Sequence, residues 1–407
     1  MSLEIRILTE NEIEEASRIS QYAFNSPVRH DEAVFQERLA RGREFYQVDW
    51  HLGSFEDGEM TSMMCMIPNQ MYINGAAIDF GTVSPVASSP LHRRKGHAGQ
   101  MMRHSLEVMR ERGQPISGLY TPHPAFYRRY GWEIASEASS YTFKPKDLRT
   151  QVQPYQRGRF RMLKAGDWQA LDAVYQVYAE QHNGPFRRNE AWWRHYVLET
   201  PWRPIHDIVL WQDDVGTPQG YALYQQPSQG DRDNRVIVIE MLALTGDAYL
   251  NLLVYFGRHD IHREIVIWSS PDDPLPLHFS DAERLEMRRS FAVMLRVVDF
   301  EAAMIARPPA RDDETCEVVL RVEDESAPWN NGTWRAGITE GKTFVERTDA
   351  PAELSLSGRV LAPLFNGYLS PSTGQATGML ETTSSEALER ADRVFAVRRR
   401  PYFIDQF

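Results

Sequence analysis

The sequence predicts a mixed α/β protein of three consecutive domains, two built on one strand-and-helix plan and a third of α+β type. Three observations carry that expectation. An apolar strand-like run ends in the basic junction Arg93-Arg94-Lys95-Gly96-His97-Ala98, which opens a long amphipathic helix. The order of elements around this junction returns, without the basic residues, between about residues 160 and 257. Past Met294 the pattern changes to short strand-like segments. The expected divisions are 1–152, 153–293 and 294–407.

In chain order, Ile5, Ile7 and Leu8 alternate loosely as a first strand. Residues 10–24 read as a helix, because Ile13, Ala16, Ile19 and Ala23 form one stripe of a 3.6-residue period. Residues 31–40 form a second short helix around Val34, Phe35 and Leu39. Strands at 46–55 and 60–69 are joined by Asp57-Gly58, and Asn74-Gly75 joins 71–73 to 76–87; both dipeptides are two-residue hairpin signals. The run Ala77, Ile78, Phe80, Val83, Val86 and Ala87 leads into the junction. Beyond it, Ala98, Met102, Leu106 and Met109 fall on one helix face, and Gly113 stands where a C-terminal cap is expected. Residues 115–120 are an apolar strand, and 125–130 a short helix closed by Gly131.

Residues 153–158 read as a linker. A helix at 165–178, an aromatic-rich stretch at 189–196, strands at 205–211, 220–225 and 235–244, and a helix at 248–257 repeat the first order. The second junction, Leu244-Thr-Gly-Asp-Ala-Tyr-Leu250, places Asp247 where an anion would sit, so this domain is expected to have lost phosphate binding. In the third domain, 317–323, 332–337, 341–346 and 352–356 are strand-like, 358–365 continues into strand and helix, and 386–394 is a helix.

Composition excludes several classes. A hydrophobic share of 42% and a charged share of 25% over 407 residues are ordinary for a folded multidomain protein. No apolar run approaches the length of a membrane span, and Met-Ser-Leu-Glu-Ile-Arg is not a signal peptide, so a cytoplasmic protein is expected. Cys65 and Cys316 lie far apart without metal-ligand spacing, which suits buried reduced thiols and no metal. The net charge of −11 argues against a nucleic-acid partner and favours cationic small molecules.

The basic junction suits a pyrophosphate. The first amides of a helix have no partner within it, and the helix dipole favours negative charge there. Gly96, Ala98 and Gly99 let that backbone approach a ligand, while Arg93, Arg94 and Lys95 add charge and donors. Neither a P-loop nor a G-x-G-x-x-G fingerprint is present. A basic turn before a surface helix would read the same way. The pattern Arg93-x-x-Gly96-x-Ala98 resembles the acyl-coenzyme A signature of the GNAT acetyltransferases. His92-Arg-Arg-Lys-Gly96, Phe126-Tyr-Arg-Arg-Tyr-Gly131 and Met294-Leu-Arg-Val-Val-Asp299, with a chain ending on an aromatic residue, resemble more narrowly the enhanced-intracellular-survival (Eis) family.

The resemblance implies two tandem GNAT-like domains, the second degenerate, followed by a sterol-carrier-protein-like α+β domain. It also implies acetyl transfer from acetyl-coenzyme A to primary amines of a polycationic, aminoglycoside-like molecule. A protein lysine acetyltransferase and a non-catalytic coenzyme A-binding regulator are the alternatives. By the same resemblance, Tyr127 is the general acid, Tyr130 its structural neighbour, and the α-carboxylate of Phe407 the general base. On its residues alone the terminus reads as frayed, although Pro401, Tyr402, Phe403 and Ile404 could hold it inside the protein. Val86, Ala87 and Ser88 would pair with the pantetheine arm, and Arg93, Arg94, Lys95, Gly96, His97, Ala98 and Gly99 would hold the pyrophosphate. Pro122 and His123 would also contact coenzyme A, Phe24 would line the acceptor side, and the chain would assemble as a hexamer. His92 and His97 are expected at the surface rather than as catalysts.

Overall fold

A computed structural model describes residues 3–149, 158–199, 207–227, 234–279, 281–382 and 384–407; most of the expected linker at 153–158 lies outside them. The chain begins with β1 (Leu3–Ile7), α1 (Ile13–Ala23), α2 (Glu32–Arg43), β2 (His51–Glu56), β3 (Glu59–Ile73), β4 (Ala76–Ser88), α3 (His97–Glu111), β5 (Ile116–Leu119), α4 (Pro124–Arg128) and β6 (Glu133–Ile134). It continues with β7 (Glu137–Phe143), α5 (Pro145–Arg149), β8 (Arg159–Leu163), α6 (Trp168–Glu180), α7 (Glu190–Trp192), β9 (Asp207–Gln212), β10 (Pro218–Gln225), β11 (Arg235–Ala243), α8 (Gly246–Gly257), β12 (Glu264–Ser269) and β13 (Glu286–Phe291). The last part holds β14 (Met294–Val297), α9 (Phe300–Ala306), β15 (Cys316–Glu323), β16 (Gly332–Thr339), β17 (Lys342–Arg347), β18 (Leu354–Ser357), α10 (Gly358–Phe365), α11 (Pro371–Ala376), β19 (Leu380–Thr382) and α12 (Ser385–Val394).

Local chemistry explains the early elements. Asp57-Gly58 and Asn74-Gly75 all have positive φ, the geometry that lets a two-residue turn follow the twist of a hairpin. The Met102, Leu106 and Met109 stripe of α3 is fully buried, and Gly113 ends that helix at φ 69°. Elsewhere the local signals are weaker. The strand expected at 46–55 starts only at His51, behind a tight helical turn at Val48–Trp50.

The chain forms two compact units: residues 1–135 with 293–398 and 407, and residues 136–292 with 399–406. The first unit holds a seven-stranded sheet ordered β1-β2-β3-β4-β5-β14-β6 and a five-stranded sheet ordered β17-β16-β15-β18-β19. In the five-stranded part, buried Arg307 donates to the carbonyls of Phe365 and Val394, at the C-terminal ends of α10 and α12, and to Phe395. A cation there meets the negative ends of two helices.

The second unit holds a seven-stranded sheet ordered β13-β7-β12-β11-β10-β9-β8. Its tail is not frayed. Tyr402, Phe403, Ile404 and Asp405 are buried, and the Tyr402 amide donates to the Asn183 carbonyl at 2.9 Å.

The expected consecutive divisions therefore do not each keep their own strands. β7 follows β6 in the chain but pairs with β12 and β13, while β14 arrives from beyond residue 293 to fill the place between β5 and β6. Each seven-stranded sheet is completed by a strand from the other's stretch of sequence. Among the described residues no helix is long and apolar enough to cross a membrane. Cys65 and Cys316 are both free and buried, and burial pushes the Cys65 thiol well up.

Candidate active site

The site begins where two parallel strands part. The β4–β5 ladder runs only from Phe80↔Ile116 to Thr82↔Gly118, so residues 83–88 of β4 diverge from β5. On its other edge β4 stays paired to β3, with a bulge between Met64↔Val86 and Met66↔Val83 that contains the cis Ser84–Pro85 bond. Val86, Ala87 and Ser88 thus present one edge of their backbone to the wedge between the strands. An extended ligand arm can add to that edge as a strand would.

The basic junction turns into α3 at Gly96, whose φ of 89° is the left-handed region that favours glycine. No side chain caps this N-terminus. By contrast Thr245 caps α8 by accepting from the Ala248 amide at 3.2 Å, and Asp247 occupies its first turn. Only the first of these helix starts has the electrostatics of an anion site.

Around Gly96, Arg93, Arg94 and Lys95 are exposed and His97 is buried. The Arg93 guanidinium lies 5.8 Å from the ring centre of Tyr22 near the end of α1. Phe24, which caps that helix, is 62% exposed.

One expectation is corrected here. His97 is not a surface residue: it is 7% exposed, with Nε2 3.7 Å from Glu56 Oε1, and His92 approaches the same carboxylate at 4.0 Å. Gly99 gives room to a protein group, since a Cβ there would lie 2.1 Å from the Tyr130 hydroxyl. Glu56 itself was missed, because its partner Lys95, at 2.6 Å, is distant in sequence. The Lys95 ammonium holds the Glu56 carboxyl below its usual range.

On the β5 side of the wedge, Leu119 ends the strand and the chain turns through Thr121, Pro122 and His123 into α4. The His123 amide donates to Thr121 Oγ1 at 2.9 Å; Pro122 and His123 are exposed. Tyr127 is half-buried on α4, with its ring 5.0 Å from Phe126. Burial pushes its hydroxyl up to about 12, against a hydrogen bond with the Thr121 side chain. The Phe407 ring packs edge-on against Tyr120 at 4.9 Å. The end of β5 therefore gathers Tyr120, Thr121 and the last residue of the chain, and leads into the helix of Tyr127.

Comparison with known proteins identifies the domains. Residues 4–135 and 184–297 match models of an acetyltransferase (GNAT) domain, and residues 300–404 match a sterol carrier protein domain. The chain is 28% identical to an uncharacterized N-acetyltransferase of Streptomyces griseus over 100% of both proteins. It is 27% identical to N-acetyltransferase Eis of Mycobacterium tuberculosis, over 81% of this chain and 80% of that one. Its two GNAT domains make the chain a GNAT acetyltransferase, similar over most of its length to Eis. The Eis-like architecture extends end to end: Eis1 from Mycobacterium abscessus matches the fold with a TM-score of 0.81 at 23% identity, over 100% of both chains. A GCN5-related N-acetyltransferase from Anabaena variabilis does so with 0.87 at 21%, again over 100% of both.

GNAT domains use acetyl-coenzyme A, and the residues of this Eis-like chain fit it. An uncapped helix start beside three cations suits a pyrophosphate, and the β4 edge suits the pantetheine amides. A cavity of about 610 Å³ on the sterol-carrier-type domain is lined by Arg321, Val322, Glu323, Glu325, Thr333 and Ser357 among others.

Proposed function

We propose that the protein transfers the acetyl group of acetyl-coenzyme A directly to a primary amine of a polycationic small molecule of the aminoglycoside class. Tyr127 serves as general acid and the α-carboxylate of Phe407 as general base. The observation that carries this reading is the contact of Phe407 with Tyr120, which holds a normally mobile terminus at the strand end that leads to Tyr127. Val86, Ala87 and Ser88 bind the pantetheine arm, and Arg93, Arg94, Lys95 and the stretch Gly96, His97, Ala98 and Gly99 bind the pyrophosphate. Pro122 and His123 border the cofactor, and Phe24 lines the acceptor side.

In the reaction the amine nitrogen bonds to the thioester carbonyl carbon, and the carbon–sulfur bond breaks. The carboxylate takes the proton the amine must lose, and the tyrosine donates to the departing thiolate. A hydroxyl at about 12 is fully protonated at pH 7 and so able to donate. The net charge of −11 draws a cationic acceptor. The family resemblance supports a cytoplasmic homo-oligomer of six chains.

The test is release of coenzyme A thiol from acetyl-coenzyme A across a panel of aminoglycosides, using protein with its native terminus and protein extended by a few residues past Phe407. Amine-dependent release by the native chain alone is expected. Release by both forms refutes the carboxylate. Tight coenzyme A binding without release across the panel refutes the small-molecule acceptor and directs the search to protein lysines.

A further inference from the structure

We propose that Glu133 is a positioning residue for the general acid, and that through it the sterol-carrier-type domain fixes the helix that carries Tyr127; this rests on Tyr127 being that acid. Glu133 opens β6 and is 4% exposed. Its Oε1 accepts from Arg128 Nε at 2.9 Å and Nη2 at 2.7 Å, and from the Ile134 amide at 2.9 Å. Its Oε2 meets Arg359 Nε at 2.6 Å. Arg128 is the last residue of α4 and the chain neighbour of Tyr127; Arg359 is the second residue of α10.

A buried carboxylate is costly unless it is compensated, and here Arg128 hydrogen-bonds one oxygen while Arg359, from a different domain, offsets the charge of the other as an ion pair. The arginines need no such partner, since their side chains are 39% and 46% exposed and water could solvate them. The arrangement therefore fixes their helices rather than rescuing their charges. A five-residue helix such as α4 cannot hold its own shape.

The turn after α4 is gripped from a second side. Gly131 has φ 88°, and a Cβ on it would lie 2.7 Å from the Arg296 guanidinium carbon. Arg296 is fully buried and paired to Asp324 at 2.6 Å, just past β15. The tyrosine helix is thus clamped at Arg128 and at Gly131 by groups anchored in the C-terminal part of the chain. Small displacements of a catalytic group lower rates steeply, up to about a hundredfold for 1 Å.

The test is a double-mutant kinetic cycle. Glu133→Gln is expected to lower kcat about tenfold, with KM for acetyl-coenzyme A within about twofold, and to cause no further fall in a Tyr127→Phe background. Arg359→Ala, which removes one arginine from Glu133 and leaves Arg128 in place, should show the same pattern at about threefold, and Arg359→Lys should restore most of the rate. An equal fall in both backgrounds, or an unchanged kcat in Glu133→Gln and Arg359→Ala, overturns the positioning role. If Tyr127→Phe alone leaves kcat unchanged, the acid assignment fails first and this role with it. Should Glu133→Gln not fold, the Arg359 variants decide the outcome.

Discussion

Asp405 and Arg188 meet at 2.7 Å, with 0% and 1% of their side chains exposed. The same guanidinium pairs with Glu240 at 2.7 Å and lies over the rings of Tyr175 and Trp193. Asp405 also accepts from the Tyr175 hydroxyl, Trp192 Nε1 and the Phe186 amide. Four donors thus converge on a carboxylate two residues from the end of the chain.

Removing one partner of a buried pair leaves the other charged and desolvated, which costs about 3–5 kcal/mol. Asp405→Asn should lower the urea midpoint accordingly and reduce thiol release with it. Gln406→Ala, at an exposed position, should stay within about 0.5 kcal/mol. An unchanged midpoint for Asp405→Asn would mean that the network does not hold the tail.

Gly99→Ala should destabilise by about 1–3 kcal/mol, because its methyl would collide with the Tyr130 hydroxyl. In a Tyr130→Phe background that hydroxyl is gone and most of the loss should be recovered. Thermal melts of the four proteins give the answer; no recovery would mean that another contact excludes the methyl.

The Tyr127 hydroxyl, raised to about 12 by burial, stays protonated across the working range. Loss of its proton therefore cannot set an alkaline limb of kcat below about pH 10. The profile of kcat should be level from pH 8 to about 10, and Tyr127→Phe should lower it by about ten- to a thousandfold without changing its shape there. A wild-type limb near pH 9 that vanishes in Tyr127→Phe would contradict the raised value.

His182 stacks on Tyr178 at 3.7 Å, and burial lowers its pKa to about 4. The fold thus favours the neutral ring. The stability it contributes is complete above the unfolded value of about 6.5 and is lost as pH falls towards 4. His182→Gln should flatten the fall of melting temperature over that interval by the equivalent of roughly 1–3 kcal/mol. An identical acid profile in the variant would place the sensitivity elsewhere.

What could be read from the sequence was local. Asp57-Gly58, Asn74-Gly75, the α3 stripe and Gly96 each encode their geometry within a few residues, so the β4–α3 junction was legible without a structure. β13 was not, because all six of its residues are exposed and show no apolar alternation. The exchange of β7 and β14 was hidden for another reason: strand partners so far apart leave no mark on either segment. Buried charge misleads in the same way. Charged residues are ordinarily exposed, and only partners brought from elsewhere in the chain make the burial of Arg188, Arg296, Arg307 and Glu133 tolerable.

The exchanged strands also set a timetable for synthesis. β6 is complete at Ile134, but β14, which belongs between β5 and β6, is not made until Val297. At about 5–20 residues per second the ribosome takes roughly ten to thirty seconds to cover that interval. Throughout it the first sheet has an open seam beside β5, with unpaired backbone at its edge. The nascent N-terminal domain must therefore wait, incomplete, for a strand that leaves the ribosome only after all seven strands of the second sheet have been made.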